Sequence, residues 1–357
     1  MTKTENFAKS FFADKTPHDA CIVTSDSNRF YLSDFQSSAG IVFLTADKVY
    51  LIVDFRYYEM ACNKVGKSIE VILADGRFSD YVDELIKKHS IERLWIEDFE
   101  MTVNELSVYK KRFDKIEFCN IGSALTDARA VKTQDEILLI KEAQKITDEA
   151  FSHILNFISK DKTENDVALE LEFFMRRNGS QGIAFDTISV SGAKSSLPHG
   201  TPSDVPLTEN SFITMDFGAK FNGYCADMTR TVVLGRASDE MVKVYNTVLE
   251  AQKLALDKIH AGVLGSIVDK AARDYIYSNG YEGCFGHSTG HGLGIDVHES
   301  PAFSPNYSKT ILENTILSVE PGIYLEGKFG VRIEDIVVVK PNGFENLTNS
   351  PKNLIEL

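Results

Sequence analysis

The sequence predicts an α/β protein of the α+β kind with two domains. Its 357 residues exceed the length of one typical domain. Short apolar runs alternate with helical patches in the first third of the chain. The remainder opens with long amphipathic helices, and the strands between them carry tight-turn signals. We expect domains at 1–125 and 126–357, the second with helices on a largely antiparallel sheet.

The first domain is predicted from runs of β-branched and aromatic residues bounded by Ser, Asp or Gly. The predicted strands are 28–32, 40–44, 49–53, 71–73 and 94–96. Residues 45–48 suit a hairpin loop between the second and third of these strands. Two segments, 57–64 and 79–89, have helical patterns.

The second domain is predicted to begin with a long helix. Thr133 followed by Glu136 forms a capping-box pattern, and apolar residues recur at helical spacing from Ile137 to Ile158. Further helices are expected at about 163–177, 239–260 and 265–279. Strands are expected between them at 186–191, 212–217 and 224–234.

Composition excludes several classes of partner. The net charge of −14 and the pI near 5.1 lack the basic footprint that nucleic acids or anionic membranes require. The five cysteines are scattered without a C-x-x-C pair, which favours reduced thiols over disulfides or a thiolate metal site. No signal peptide or membrane-spanning run is recognised. We therefore expect a cytoplasmic protein with no nucleic-acid or membrane partner.

Residues 286–299 contain three of the eight histidines. Gly290 and Gly292 bracket His291, so the backbone there can closely approach whatever His291 touches. Histidine is the commonest metal ligand, although a single histidine is more often incidental to a glycine-rich loop. Three histidines at this spacing, followed by acidic motifs, favour a functional site.

An acidic hairpin precedes this stretch. Asn222-Gly223 predicts a type I′ turn, and in that register Asp216 faces Thr229. Asp227 then shares the face of Asp216 and lies diagonally across from it. Two such carboxylates repel unless a cation lies between them. The alternative, two exposed strand aspartates, is less favoured because Asp is depleted in strands.

A second acidic pair follows the histidines. Glu320 and Glu334 lie in β-rich runs that flank a turn at Gly327-Lys328. Pro321-Gly322 directly after Glu320 interrupts strand pairing, so the glutamate can be directed inward.

Four carboxylates and one imidazole thus form the candidate ligand set: Asp216, Asp227, His291, Glu320 and Glu334. Oxygen-rich ligands with one nitrogen suit Mn²⁺, Co²⁺ or Zn²⁺. Five side chains exceed the need of one tetrahedral ion and suit two ions.

Six motifs in this order resemble the creatinase/methionine-aminopeptidase-fold metallopeptidases, the pita-bread family, and within it the Xaa-Pro aminopeptidase and prolidase branch. They are LPHG at 197–200, MDFG at 215–218, CADMTRT at 225–231, GHGLG at 290–294 with HE at 298–299, VEPGIY at 319–324 and VRIED at 331–335. The resemblance implies a pita-bread catalytic domain on a curved sheet and a smaller creatinase-like N-terminal domain.

The resemblance also assigns the ligands. Asp216 would bind one ion, Asp227 and Glu334 would bridge two, and His291 with Glu320 would complete the other. The implied cofactors are two divalent ions, with Mn²⁺ the first choice and Co²⁺ or Zn²⁺ as alternatives.

The implied reaction is hydrolysis of an N-terminal Xaa-Pro bond by a metal-bridging hydroxide, with Glu320 as general base. His298, assisted by His199, would bind the carbonyl oxygen. His287 and Arg332 would order either the residues around the metal ligands or the proline end of the substrate. Phe185 and Tyr324 are candidate pocket walls, with core packing as an equal alternative.

The preferred function is an Xaa-Pro aminopeptidase acting on peptides with proline in the second position. The nearest alternative is a prolidase restricted to dipeptides. A catalytically inactive, metal-free binding protein on the same fold is disfavoured by the intact ligand set. The resemblance further implies a homodimer.

Overall fold

The computed structural model describes residues 2–357. Its internal contacts divide the chain into two compact units, one ending at Arg129 and one comprising Ala130–Leu357. No helix within residues 2–357 has both the length and the apolar character needed to cross a bilayer.

The first unit is built on one mixed six-stranded sheet. Its strands are β1 (Asp19–Val23), β2 (Ile41–Leu44), β3 (Val49–Asp54), β4 (Ile69–Ala74), β5 (Arg93–Ile96) and β6 (Glu117–Asn120). They lie in the order β4-β3-β2-β1-β5-β6. The pairs β1–β2 and β2–β3 are antiparallel, and the predicted hairpin at 45–48 is confirmed by the pairing of β2 with β3. The other pairs are parallel.

In chain order, helices precede, connect and follow these strands. They are α1 (Lys3–Phe11), α2 (Asp26–Ser33), α3 (Phe55–Lys64), α4 (Phe78–Lys88), α5 (Val103–Arg112) and α6 (Ala124–Ala130). The predicted helices at 57–64 and 79–89 correspond to α3 and α4.

The predicted strand at 28–32 is wrong, because these residues form most of α2. A short apolar run does not distinguish a strand from a buried helix by periodicity. Tertiary contacts decide here. The Glu97 carboxylate accepts hydrogen bonds from the backbone N–H groups of Thr24 and Ser25 at 2.6 and 3.0 Å. It thereby satisfies donors at the helix N-terminus, and Asp34 ends the helix in the left-handed conformation.

The second unit contains four long helices. They are α7 (Gln134–Ile154), α8 (Glu164–Arg177), α9 (Asp239–Leu256) and α10 (Gly265–Ser278). The predicted capping box is confirmed, since Thr133 and Glu136 each accept a backbone N–H of the other. The helix ends at Ile154, however, so Ile158 belongs to the buried core but not to the helix.

All strand pairs of this second unit are antiparallel, as expected. The strands are β7 (Gly182–Ile183), β8 (Ile188–Ser191), β9 (Ser211–Phe217), β10 (Ala219–Phe221), β11 (Tyr224–Cys225), β12 (Met228–Leu234), β13 (Gly290–Gly292), β14 (Glu299–Phe303), β15 (Ile316–Val319), β16 (Gly322–Leu325), β17 (Phe329–Arg332), β18 (Asp335–Lys340) and β19 (Gly343–Asn346). A short 3-10 helix, Gly192–Ser196, follows β8.

These strands form four groups. The order is β11-β10-β7, β12-β9-β8, β14-β13-β15-β18-β19 and β16-β17. One core packs α7 and α8 against β9 and β12, with Phe151, Leu171 and Met215 fully buried. A second core packs α9 and α10 against the β15–β18 region, around Val248 and Leu317.

The predicted register of the acidic hairpin is confirmed. Asn222 and Gly223 have φ of 46° and 87°, as a type I′ turn requires. Asp216 is paired with Thr229. The single strand expected at 224–234 is interrupted at Ala226 and Asp227, because β10–β11 pairs with β7 while β9–β12 pairs with β8.

Candidate metal centre

The five candidate ligands come from five separate positions along the second unit. Asp216 lies in β9, Asp227 lies between β11 and β12, and His291 lies in β13. Glu320 occupies the break between β15 and β16, and Glu334 occupies the break between β17 and β18. Strand interruptions therefore carry three of the four carboxylates, as expected for Glu320 beside its Pro-Gly pair.

Three of these residues meet closely. Asp227, His291 and Glu334 each offer one ligand atom, and the three atoms lie within 4.8 Å of one another. Nε2 of His291 is 3.6 Å from Oδ2 of Asp227 and 3.2 Å from Oε1 of Glu320. Asp216 faces the same cavity.

The carboxylate oxygens fit a cation. Oδ1 of Asp216 and Oε1 of Glu334 are buried and have no hydrogen-bond partner within residues 2–357. Their second oxygens are held, Oδ2 of Asp216 by Arg332 at 2.7 Å and Oε2 of Glu334 by Thr229 at 2.8 Å. A buried carboxylate oxygen without a donor is costly unless a cation satisfies it. The donor set suits a divalent metal ion.

The pKa values of two of the buried carboxyl groups also indicate a cation site. Burial, then the charges of Glu334, Asp216 and Glu320, raises the pKa of Asp227 well above its usual value. Burial, then Glu320 and Asp216, likewise raises the pKa of Glu334. Without a cation, this cluster of carboxylates resists full ionisation.

The pKa values of His291 and Glu320 shift in favour of the charged forms, because these two side chains contact each other. Burial opposes charge on both, but their hydrogen bond outweighs it, raising the pKa of His291 to about 9 and lowering that of Glu320 to about 2. Nδ1 of His291 lies 3.1 Å from the carbonyl oxygen of Gly292. If Nδ1 donates to this carbonyl, Nε2 is the nitrogen that can bind a metal.

Two contributors were not recognised in the sequence. Thr229 binds Glu334, and the Ser318 hydroxyl donates to Oε1 of Glu320 at 3.1 Å. Ser318 also accepts a hydrogen bond from the backbone of His291 at 3.0 Å. Strand alternation predicts the position of Ser318, because residues two apart in a strand lie on the same face and Ser318 is two residues before Glu320.

The ligands line a cavity of about 630 Å³. The predicted site residues Phe185, His199, His287, His298 and Arg332 line it as well. It is also lined by residues that the sequence did not single out, including Asp186, Thr187, Ile188, Pro202, Val297 and Ala302. Apolar side chains and a few polar groups share the cavity, as in small-molecule sites.

Tyr324 is not among the cavity-lining residues. Its hydroxyl lies 2.9 Å from Nε2 of His287 and accepts a hydrogen bond from Nη1 of Arg332 at 2.7 Å. Burial raises its pKa to about 12, so the phenol stays protonated and can donate to His287. The residue joins two cavity side chains from behind.

His298 lies beside the ligand set. Its ring centroid is 4.3 Å from that of His291. Burial, followed by the charge of His291, lowers the pKa of His298. His199 lines the same cavity from the loop after the 3-10 helix. The three histidines His199, His287 and His298 therefore share one cavity with His291.

Two family models match the chain. Metallopeptidase family M24 matches residues 139–341, and the creatinase/prolidase N-terminal domain matches residues 10–131. The chain is 41% identical over 339 residues to an uncharacterized peptidase of Bacillus subtilis, YqhT, covering 95% of this chain and 96% of that protein.

Solved structures of Xaa-Pro peptidases are similar to this chain over nearly its whole length. An Xaa-Pro dipeptidase from Bacillus anthracis is 40% identical, with a TM-score of 0.95 over 99% of both chains. An X-Pro aminopeptidase from Thermotoga maritima is 38% identical, with a TM-score of 0.90 over 95% of this chain and 97% of that one. The chain therefore belongs to metallopeptidase family M24, with the pita-bread catalytic domain and the creatinase-like N-terminal domain that its motifs predicted.

Proposed function

We propose that the protein is an Xaa-Pro aminopeptidase that uses two divalent ions to hydrolyse the bond before a proline in the second position. The observation that carries this proposal is the cavity shared by the five candidate ligands and three further histidines. Relatives named Xaa-Pro dipeptidase and Xaa-Pro aminopeptidase support proline specificity.

Asp216, Asp227, His291, Glu320 and Glu334 would hold the ions. Ions bound there would supply Lewis-acid activation of a water molecule and of the scissile carbonyl. Mn²⁺ is the first choice among ions suited to these ligands, ahead of Co²⁺ and Zn²⁺.

Glu320 would be the general base. Its carboxylate lines the cavity, and the hydroxyl of Ser318 holds Oε1 in place. The carboxylate would accept a proton from the attacking water and deliver it to the departing proline nitrogen.

His298 and His199 would stabilise the oxygen of the scissile carbonyl. Both line the cavity, and the lowered pKa of His298 favours a neutral imidazole with one N–H to donate. A donor placed where negative charge develops lowers the reaction barrier.

Arg332, His287 and Phe185 would recognise the proline end of the substrate. A proline nitrogen carries no N–H, so recognition depends on the ring and on the neighbouring carbonyl. Phe185 offers an apolar surface for the ring. Tyr324 would hold Arg332 and His287 in place from behind and would not form a wall.

Substrate length distinguishes two candidates. The cavity of about 630 Å³ is comparable to pockets for drug-sized ligands and has room for a peptide longer than a dipeptide. The second candidate is a dipeptidase, which is favoured by the similarity to the Bacillus anthracis Xaa-Pro dipeptidase.

The test is an assay of chelated and Mn²⁺-loaded protein with Ala-Pro and Ala-Pro-Ala. Faster cleavage of the tripeptide is expected. Cleavage of the dipeptide alone would establish the dipeptidase.

The Asp227→Ala variant should lose both metal and activity. Retention of both would refute a dimetal mechanism.

The same proposal includes the oligomeric state, the cellular compartment and the identity of the metal ions. A homodimer is expected from the family resemblance and can be tested by sedimentation equilibrium. The five cysteines form no disulfide within residues 2–357, which suits the reducing cytoplasm. Loading with Mn²⁺, Co²⁺ or Zn²⁺ in turn would rank the ions by activity.

A further inference from the structure

A buried ion pair lies behind the histidine stretch. Asp269 and Arg273 are one turn apart on α10. Nε of Arg273 donates to Oδ2 of Asp269, and Nη2 donates to Oδ1, both at 2.8 Å. The Asp269 side chain is 2% exposed and the Arg273 side chain is 18% exposed. Two parallel bonds fix the guanidinium in one orientation.

This pair also holds the backbone of residues 285–289. Arg273 donates from Nη1 to the carbonyl oxygen of Phe285 and from Nη2 to that of His287, both at 2.8 Å. Oδ1 of Asp269 accepts from the backbone N–H and the hydroxyl of Thr289, both at 3.0 Å. Three alternate residues of one segment are thus attached to a single helix.

The segment leads directly into the cavity. His287 lines it, and its Nε2 lies 2.9 Å from the hydroxyl of Tyr324. The carbonyl oxygen of Thr289 accepts a hydrogen bond from the backbone N–H of Glu320 at 2.7 Å. Displacement of the segment would therefore move His287 relative to Tyr324.

We propose that Asp269 and Arg273 are positioning residues that hold His287 against Tyr324 in the active-site cavity. Burying an ion pair costs desolvation and is a weak source of stability. Four further hydrogen bonds of this pair go to the segment that carries His287. Their effect on catalysis rests on the proposed peptidase function, whereas their effect on His287 does not.

The same helix provides a matched control. Lys270 and Asp274 form an i,i+4 ion pair of 2.6 Å on α10, but their side chains are 73% and 61% exposed. Lys270→Gln with Asp274→Asn removes an ion pair from the helix without touching residues 285–289. A general effect of losing an α10 ion pair would appear in both variants.

The test variant is Arg273→Lys, which keeps the charge but cannot reproduce the four-bond geometry. We expect kcat for an Xaa-Pro peptide to fall about 10- to 100-fold, with a smaller change in KM. The control variant should match the wild type. A folded Arg273→Lys variant with wild-type kcat would overturn the proposal.

A second readout is independent of activity. In metal-free protein carrying ¹³C-labelled histidine, the His287 signal can be assigned by its loss in His287→Gln. Arg273→Lys should shift or split that signal, and the control should not. An unchanged His287 signal would contradict the positioning role, even if the protein proved inactive on every Xaa-Pro peptide.

If Arg273→Lys fails to fold, Thr289→Val serves instead. It removes only the hydroxyl bond to Asp269 and preserves the side-chain shape. The same displacement of the His287 signal is expected, with a smaller amplitude. A His287 signal identical to that of the wild type would again overturn the proposal.

Discussion

Arg332 holds one oxygen of Asp216 and leaves the other without a donor. Its Nη2 donates to Oδ2 at 2.7 Å, while Oδ1 is buried with no hydrogen-bond partner within residues 2–357. The same guanidinium donates to Thr229 and Tyr324 at 2.8 and 2.7 Å. One arginine thus orients a candidate ligand and its neighbours together.

Arg332→Lys should therefore reduce kcat/KM about 10- to 100-fold. Lysine retains the charge but cannot form the planar fork that reaches these three partners. Steady-state kinetics with the metal content of each sample would measure the effect. Arg236→Lys is the control, because Arg236 forms an ion pair with Glu356 and its side chain is 87% exposed. Equal loss in both variants would contradict this role.

Asp227→Asn should weaken metal binding yet stabilise the chelated protein. Burial and neighbouring carboxylates raise the pKa of Asp227, so removing its charge relieves repulsion. A gain of about 1 kcal/mol corresponds to a Tm rise of about 2–4 °C. Calorimetry in EDTA would measure it. Asp186→Asn, at an exposed carboxylate of the same cavity, should leave that Tm unchanged. A lower Tm for Asp227→Asn would show that repulsion is not relieved.

Asp19 should make stability pH-dependent in the first unit. Burial opposes its charge, but hydrogen bonds from Thr16, Arg93 and Trp95 outweigh it and lower the pKa to about 2. A lowered folded-state pKa stabilises the fold above the unfolded value of about 3.9, and this contribution disappears as the pH falls towards 2. Asp19→Asn should therefore cost about 2 kcal/mol near neutral pH, and the difference should narrow below about pH 4.

Trp95 is the sole tryptophan, so urea unfolding followed by its fluorescence reports on this unit. Asp34→Asn is the control, since the Asp34 side chain is 70% exposed in its ion pair with Lys3. A gap between Asp19→Asn and the wild type that stays constant down to pH 2 would contradict the linkage.

Gly290→Ala should disturb both stability and metal binding. A Cβ atom at Gly290 would lie 1.9 Å from the carbonyl oxygen of Ser318, so β13 or β15 must move. Overpacking of this kind costs about 1–3 kcal/mol. It would also displace His291. Thermal unfolding and bound metal per chain would measure the two effects.

Gly286→Ala is the matched control for Gly290→Ala. The added Cβ would meet nothing within 4 Å, so Tm and metal content should stay near those of the wild type. A Gly290→Ala variant indistinguishable from this control would show that the close approach of the two strands is not required.

The close contacts of Gly290 and Gly292 refine the interpretation of the histidine stretch. Glycines beside His291 predicted a close approach to whatever His291 touches. The close neighbour of Gly290 is instead the backbone of β15, and Gly292 lies against the backbone of Glu299 and Ser300. The glycines allow strands to pack tightly so that the histidine is correctly placed.

Local chemistry was readable from sequence alone. Asn222-Gly223 set the hairpin register that pairs Asp216 with Thr229, because a two-residue turn fixes every pair that follows. The capping box at Thr133 and the break at Pro321-Gly322 were also predictable, because each depends on residues that are close together in the sequence. Motif order was specific enough to identify the family.

Long-range contacts decided the rest. Residues 28–32 lie in a helix whose N-cap residue, Ser25, donates its backbone N–H to Glu97, 72 positions away. Tyr324 was placed behind Arg332, and the Asp269–Arg273 pair was placed behind His287, by packing that no local pattern encodes. Sequence determined the residues and turns of this peptidase. Only the tertiary structure decided which carboxylate oxygens lie buried without a donor, because that depends on contacts between segments about 100 residues apart.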